Sequence, residues 1–167
     1  METKMGTTIN AGRWTMPSGT EPMPGEEPVL FLIGMRINRL RAVRSWLRVA
    51  RAMPKMLQEL ADQPELGLLG ARNYVSGRDV TVVQYWRSRE HLNRYARAAE
   101  HLHLPAWRAF NQAVAASGRV GIWHESYPIP VGEVGTIYVN MPAAGLAAAL
   151  GGAVPANSAH RTNVEVP

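Results

Sequence analysis

Cysteine is absent from the chain, so its chemistry must come from imidazole, carboxylate, amide and aromatic groups. That absence excludes a disulfide framework, thiolate catalysis and cysteine-based zinc or iron–sulfur sites. His103 precedes Pro105 and Trp107, where a helical stretch opens, which puts its imidazole at a helix entrance beside a sheet. There it could act as a general base or bind heme iron. It could equally pack and make one backbone hydrogen bond. His124 and Glu125 are adjacent, but successive side chains on a strand point to opposite faces, so they cannot pair without a bulge. Each taken alone is open between catalysis and structure. Asn38 and Trp86 end their strands, with Arg36 one pleat before Asn38. Amide or indole N–H groups at strand ends can orient a substrate oxygen or stabilise an oxyanion. Core packing is the competing role for Trp86 and Trp107, and Tyr85 and Tyr127 are open between the two. His101 and His103 are two residues apart, not the three or four that share a helix face, and no carboxylate completes a triad. No metal site is expected.

The elements that would carry these residues follow from periodicity. Residues 1–27 hold Gly12, Gly19, Gly25, Pro17, Pro22 and Pro24 without any period and read as an irregular N-terminal arm. Pro28 opens a strand over Val29–Asn38, apolar on both faces at first, as a central strand should be. From Arg39 a helical period sets in, with Leu40, Val43, Leu47, Ala50, Leu57 and Leu60 on one face. Pro54 predicts a kink, or a second short helix with Pro54 in its first turn, ending before Pro64. Strands over Leu66–Tyr74 and Asp79–Arg87 flank a Ser76-Gly77 turn. Ser88 can cap a helix running to about Glu100, and a second helical stretch from Pro105 ends at Gly118. Arg119–Tyr127 is the fourth strand and Thr136–Asn140 a fifth extended piece. The expected division is an arm over 1–27, one domain over 28–150 and a peripheral tail over 151–167.

Composition sets the outer bounds. A chain of 167 residues with 46% hydrophobic and 19% charged residues has the make-up of one globular domain. Met1–Glu27 lacks a basic-then-apolar arrangement, and the apolar run Val29–Met35 is far too short to span a bilayer. A cytoplasmic location without membrane contact is the expectation. The net charge of +5 gathers in Arg41, Arg44, Arg48, Arg51 and Lys55, which share one helical stripe. Without base-stacking aromatics or a recognition motif nearby, that stripe reads as a solvated face, and no specific nucleic-acid partner is expected.

The order β-α-β-β-α-β is the α+β, ferredoxin-like pattern. It covers one sheet face with helices and leaves the other open. A second copy of the chain is the economical cover, giving a homodimer and a dimeric α/β barrel.

Several separated strings resemble one family. They are Phe31-Leu32-Ile33-Gly34-Met35-Arg36-Ile37-Asn38, Met53-Pro54-Lys55-Met56-Leu57, Gln84-Tyr85-Trp86-Arg87-Ser88, His103-Leu104-Pro105-Ala106-Trp107 and Gly121-Ile122-Trp123-His124-Glu125-Ser126-Tyr127. In this order they resemble a monooxygenase-like domain-of-unknown-function family, related to the antibiotic-biosynthesis monooxygenases of the dimeric α/β-barrel superfamily. The resemblance runs from about Pro28 to Leu146. It implies a small oxygenase-like enzyme of secondary or oxidative metabolism acting on an apolar organic molecule, with no cofactor. His103 would be the base, with Asn38 and Trp86 holding an oxyanion and His124 a further catalytic candidate. Arg36, Tyr85, Trp107, Glu125 and Tyr127 would contact substrate. Two alternatives stay open: a heme enzyme of dehydratase or lyase type with His103 or His124 as axial ligand, and a non-catalytic dimeric protein that holds a hydrophobic ligand.

Overall fold

The computed structural model describes residues 8–13, 27–98, 110, 117–130, 134–139 and 144–150. Its strands are β1 (Thr8–Arg13), β2 (Val29–Ile37), β3 (Leu68–Ser76), β4 (Asp79–Trp86), β5 (Val120–Pro128) and β6 (Gly135–Val139). Its α-helices are α1 (Val43–Ala50), α2 (Ala52–Asp62), α3 (Arg89–Arg97) and α4 (Gly145–Ala149). By contacts the chain divides into two compact units, Pro22–Ile129 and a second made of Met1–Glu21 with Pro130–Pro167.

In the larger unit four antiparallel strands lie in the order β3-β4-β2-β5. With the helical segment α1–α2 between β2 and β3 and α3 between β4 and β5, this is the ferredoxin-like α+β fold. The family of apolar residues Val29, Phe31, Ile33, Met35 and Ile37 alternates on β2 and faces the helices, because strand side chains repeat every second residue. Two packed clusters form at the two ends of that face. Val29, Leu60, Trp86, Leu92 and Tyr95 make one, with Phe31, Leu66 and Leu68 against it. Met35 and Val120 centre the other, with Ile37, Trp46, Val49, Ala50, Val80 and Phe110.

The helices follow the expected break with one correction. The break falls at Arg51, so α2 starts with its own phase and Pro54 lies in its first turn, where the backbone N–H has no helical partner to lose. The apolar face expected through Leu40, Val43 and Leu47 is not the packed one. Leu40 and Val43 are exposed, and Trp46 and Val49 pack in their place beside Ala50, which with Leu60 is where the expected face holds. Helix α1 begins only at Val43, and the Trp46 indole N–H turns back to the Leu40 carbonyl at 3.1 Å. The arginine stripe, from Arg41 to Lys55, is exposed throughout, as a solvated face should be.

The strand expected from Leu66 begins at Leu68, because Pro64–Leu66 forms a 3-10 turn closed by Gly67 at φ +91°. A Cβ on Gly67 would also meet the ring of His91, so the position is held open twice over. Ser88 caps α3, accepting from the His91 backbone N–H at 3.3 Å.

The smaller unit contains β1 and β6, paired antiparallel from Thr8↔Val139 to Arg13↔Gly135, and α4. The expectation of an irregular arm over 1–27 is therefore corrected at Thr8–Arg13. A strand of six residues with no apolar alternation leaves no periodic signal, and its partner lies far away in sequence. Among the described residues, no helix is long and apolar enough to cross a membrane.

Candidate functional site

Between the two packed clusters the helix-covered face is not filled. Two adjoining hollows, of about 400 and 370 Å³, share Ile33, Met53, Met56 and Ile122. Their position follows from β2: Val29 and Phe31 belong to one cluster, Met35 and Ile37 to the other, and Ile33 lies between. The flexible, unbranched side chains of Met53 and Met56 form the helical side of both, which suits a lining that adapts to its contents.

The two hollows differ in polarity. The 370 Å³ hollow is apolar apart from Arg48 and Asn73. The 400 Å³ hollow lies among α2, α3, β2, β4 and β5 and receives Gln84, Trp86, Asn93, Tyr95, His124 and Ser126. His124 and Ser126 alternate on β5, opposite Ile33 and Phe31 of β2, so both reach the helix side. His124 stands at the exposed rim, its ring centroid 5.8 Å from that of Phe31. Gln84 is also opposite Phe31, from the other flank, and is only 4% exposed. Its Oε1 accepts from the Trp86 indole N–H at 2.9 Å, and its Nε2 lies 3.8 Å from Met53 Sδ. Tyr95, its ring centroid 5.8 Å from that of Trp86, donates to Glu59 Oε2 at 2.7 Å. Burial, and then that hydrogen bond, hold the Tyr95 phenol well above the usual tyrosine range.

The structure separates the residues that the sequence grouped. Asn38 and Trp86 do not share a site. Trp86 is opposite Val29 at the start of β2, whereas Asn38 follows Ile37 at its end. Nine residues of strand put them roughly 30 Å apart. Trp86, 1% exposed, has its single N–H committed to Gln84, and Asn38 Nδ2 donates one of its two hydrogens to the Gly118 carbonyl at 3.1 Å. The shared oxyanion role is corrected for that reason. Antiparallel strands bring opposite ends together, so the end of one strand meets the start of its neighbour.

Arg36, Tyr85, Glu125 and Tyr127 lie on the open sheet face, away from the hollows. Arg36 pairs with Asp79 at 2.6 Å, and the Tyr127 hydroxyl donates to Glu125 at 2.6 Å, which raises the Tyr127 phenol pKa. Their expected contact with substrate is corrected for the helix-side cavity, because a strand residue serves one face only. His124 and Glu125 accordingly point to opposite sides, as their adjacency predicted. His103 and Trp107 lie outside the described residues. Gln84 and Ser126 were missed as site residues; alternation on β4 and β5, with Trp86 and His124 as phase markers, was the available signal. Among the described residues no group of three or more His, Asp or Glu gathers as a metal site would require.

This arrangement, an apolar space on the helix side of a ferredoxin-like sheet, can be set against known proteins. The model of the family described as monooxygenase af470-like matches residues 28–146. The chain belongs to that family. Monooxygenase af470 of Aspergillus fumigatus (strain ATCC MYA-4609 / CBS 101355 / FGSC A1100 / Af293) is 29% identical over 130 residues, covering 73% of this chain and 46% of its own. This member of the monooxygenase af470-like family thus spans about half the length of that curated relative. Among solved structures, aldoxime dehydratase (OxdRE) in complex with butyraldoxime is similar at a TM-score of 0.59 and 16% identity, over 80% of this chain and 42% of that one. Identity this low establishes the fold alone. SnoaB, a cofactor-independent oxygenase from Streptomyces nogalater, is similar at a TM-score of 0.44 and 12% identity, over 62% of this chain and 93% of that one. That likeness is too slight to bear on chemistry.

Proposed function

We propose that this monooxygenase af470-like chain is a small oxygenase of secondary or oxidative metabolism that binds an apolar organic molecule in the helix-side cavity. The observation that carries the reading is the cavity itself, walled by Ile33, Met53, Met56 and Ile122 and met by His124, Ser126 and Gln84. Apolar walls with a few convergent polar groups are the usual form of a small-molecule site. The reading needs no cofactor, because an electron-rich enol or phenol can itself reduce dioxygen once deprotonated. His124 is the imidazole assigned as base. His103 is the second histidine for which the same role is proposed, on the resemblance of its surrounding string.

With anthrone as a model compound for such a substrate the chemistry balances. The base takes a proton from the methylene carbon, and the resulting anion gives one electron to dioxygen. The carbon radical and superoxide combine to a hydroperoxide with return of a proton. Loss of water from the hydroperoxide leaves a second carbonyl, so one anthrone and one dioxygen give one anthraquinone and one water. The four electrons that reduce dioxygen are two in the new carbonyl oxygen and two in water.

We further propose that the open sheet face is covered by a second copy of the chain. Exposed Trp123, Tyr127 and Tyr74 on that face support this reading.

Heme is the second reading, and one observation favours it. The His124 ring lines the cavity and makes no hydrogen bond among the described residues, and an imidazole nitrogen is a donor that fits heme iron. His124 would hold the iron, which would supply a Lewis-acidic and redox-active centre.

The deciding experiment follows oxygen uptake by the purified protein with anthrone, alongside a hemin titration. Uptake above the uncatalysed rate with one anthraquinone per oxygen is expected, with no Soret band. A Soret band gained on adding hemin and lost in His124→Ala would move the assignment to heme. Binding of anthrone without uptake would leave a non-catalytic binding protein.

A further inference from the structure

Gln84 is a polar group the cavity does not need for packing. It lies on β4, between β3 and β2, and is 4% exposed. An indole N–H can only donate, so the Gln84 atom 2.9 Å from Trp86 Nε1 must be the carbonyl oxygen. The amide orientation is thereby set, and the NH2 group is turned the other way, towards α2. What it meets there is the thioether of Met53 at 3.8 Å, a weak acceptor for one of two strong donors. No other partner of this amide occurs among the described residues. A buried donor without a good acceptor keeps its desolvation penalty uncompensated, so such groups call for an explanation.

Trp86 supplies half of that explanation, since it acts as the brace for the amide. The cavity supplies the rest: the same residue lines it together with His124 and Ser126. Resting on the proposed function, we infer that Gln84 Nε2 is the oxygen-binding donor of the cavity, taking a carbonyl or phenolate oxygen of an otherwise apolar ligand. Gln84 and His124 flank β2, opposite Phe31 and Ile33 respectively. Two strand spacings across and two residues along separate their backbones by about 12 Å. Both side chains stand off the helix side of the sheet rather than towards each other, so their polar ends keep about that separation, and less a hydrogen-bond length of about 3 Å at each end it matches the span of two or three fused rings. The ligand is therefore a bicyclic or tricyclic compound with its oxygen at the Gln84 end and its acidic C–H or O–H towards His124.

The test compares α-tetralone with tetralin, the same two-ring skeleton with and without a carbonyl, by calorimetric titration. The quantity read is the ratio of their dissociation constants in wild type and in Gln84→Met, which keeps length and removes the amide. The ratio should shift against the ketone by roughly three- to tenfold, the worth of one hydrogen bond. Tetralin should bind both proteins alike, showing that the cavity is intact. An unchanged ratio overturns the assignment while leaving the cavity reading standing. Failure of both compounds to bind wild type overturns the cavity reading and this inference with it. A readout on wild type alone covers a variant that does not fold. The carbonyl stretch of bound α-tetralone should lie below its frequency in cyclohexane, and an unshifted stretch sinks the inference.

Discussion

The indole of Trp123 rests against Gly34, its cross-strand neighbour in the β2–β5 pairing, so closely that a Cβ at residue 34 would overlap the ring. The contact lies on the open face of the sheet, with Leu32 and Arg36 next along the same face of β2 and Trp123 itself 38% exposed. A glycine in a central strand forgoes side-chain packing, and here it gives an aromatic ring a seat.

Gly34→Ala should push Trp123 off that seat. Because the ring can turn towards solvent, the protomer should lose only about 1 kcal/mol, the low end for overpacking. Assembly should suffer more. Light scattering should show twice 18.4 kDa for wild type and a shift towards the monomer for the variant. Wild type that stays monomeric at micromolar concentration would defeat the dimer proposal.

Trp86→Phe keeps most of the buried ring but leaves Gln84 Oε1 without its donor. The expected loss is about 1–3 kcal/mol, the scale for an unsatisfied buried acceptor. Trp86→Ala should cost about 3–5 kcal/mol, since a large cavity is added in the Val29, Leu60, Leu92 and Tyr95 cluster. Urea titrations of both variants check the order. Equal losses would mean that the hydrogen bond contributes nothing separable from the ring.

The Tyr95 phenol, raised by burial and by its bond to Glu59, links stability to alkaline pH. The folded chain holds this proton more tightly than the unfolded chain does. Stability from it is complete below about pH 10, the ordinary tyrosine value, and falls as pH rises past that value. Tyr95→Phe should be less stable at neutral pH by about 1–3 kcal/mol, because Glu59 loses a donor. It should also lack this alkaline decline. Urea midpoints of both proteins at about pH 8 and pH 11 read the difference directly. Parallel declines would remove Tyr95 as the cause.

His124→Ala should separate activity from folding. The side chain is exposed at the cavity rim, so stability should change by no more than about 0.5 kcal/mol. Turnover of anthrone should fall by about 10²-fold or more if the imidazole is the base. His103→Ala provides the comparison. A full loss there, with His124→Ala active, would transfer the role to His103.

Much of the scaffold was legible in the chain itself. The apolar run that opens Val29–Ile37, the Ser76-Gly77 turn, the Ser88 cap and Pro54 at a helix start are local rules, and they mark the β-α-β-β order. Adjacency alone put His124 and Glu125 on opposite faces. Local rules are readable because they act within a few residues, where backbone sterics and one hydrogen bond decide. The helical phase was harder: Leu47 and Trp46 are both apolar, and only the break at Arg51 and the sheet below chose Trp46. The pairing of Thr8–Arg13 with Gly135–Val139 required a partner more than a hundred residues away.

The site belongs to tertiary structure almost entirely. That Asn38 and Trp86 lie at opposite ends of β2 depends on antiparallel register, and that Gln84 has a fixed amide depends on Trp86 two residues on. Which sheet face received His124 was settled by the phase of β5 against Phe31 and Ile33. Residue types declared what chemistry was available to this chain. Which groups share one space was decided by packing, because a cavity is the place where two clusters built from distant residues fail to meet.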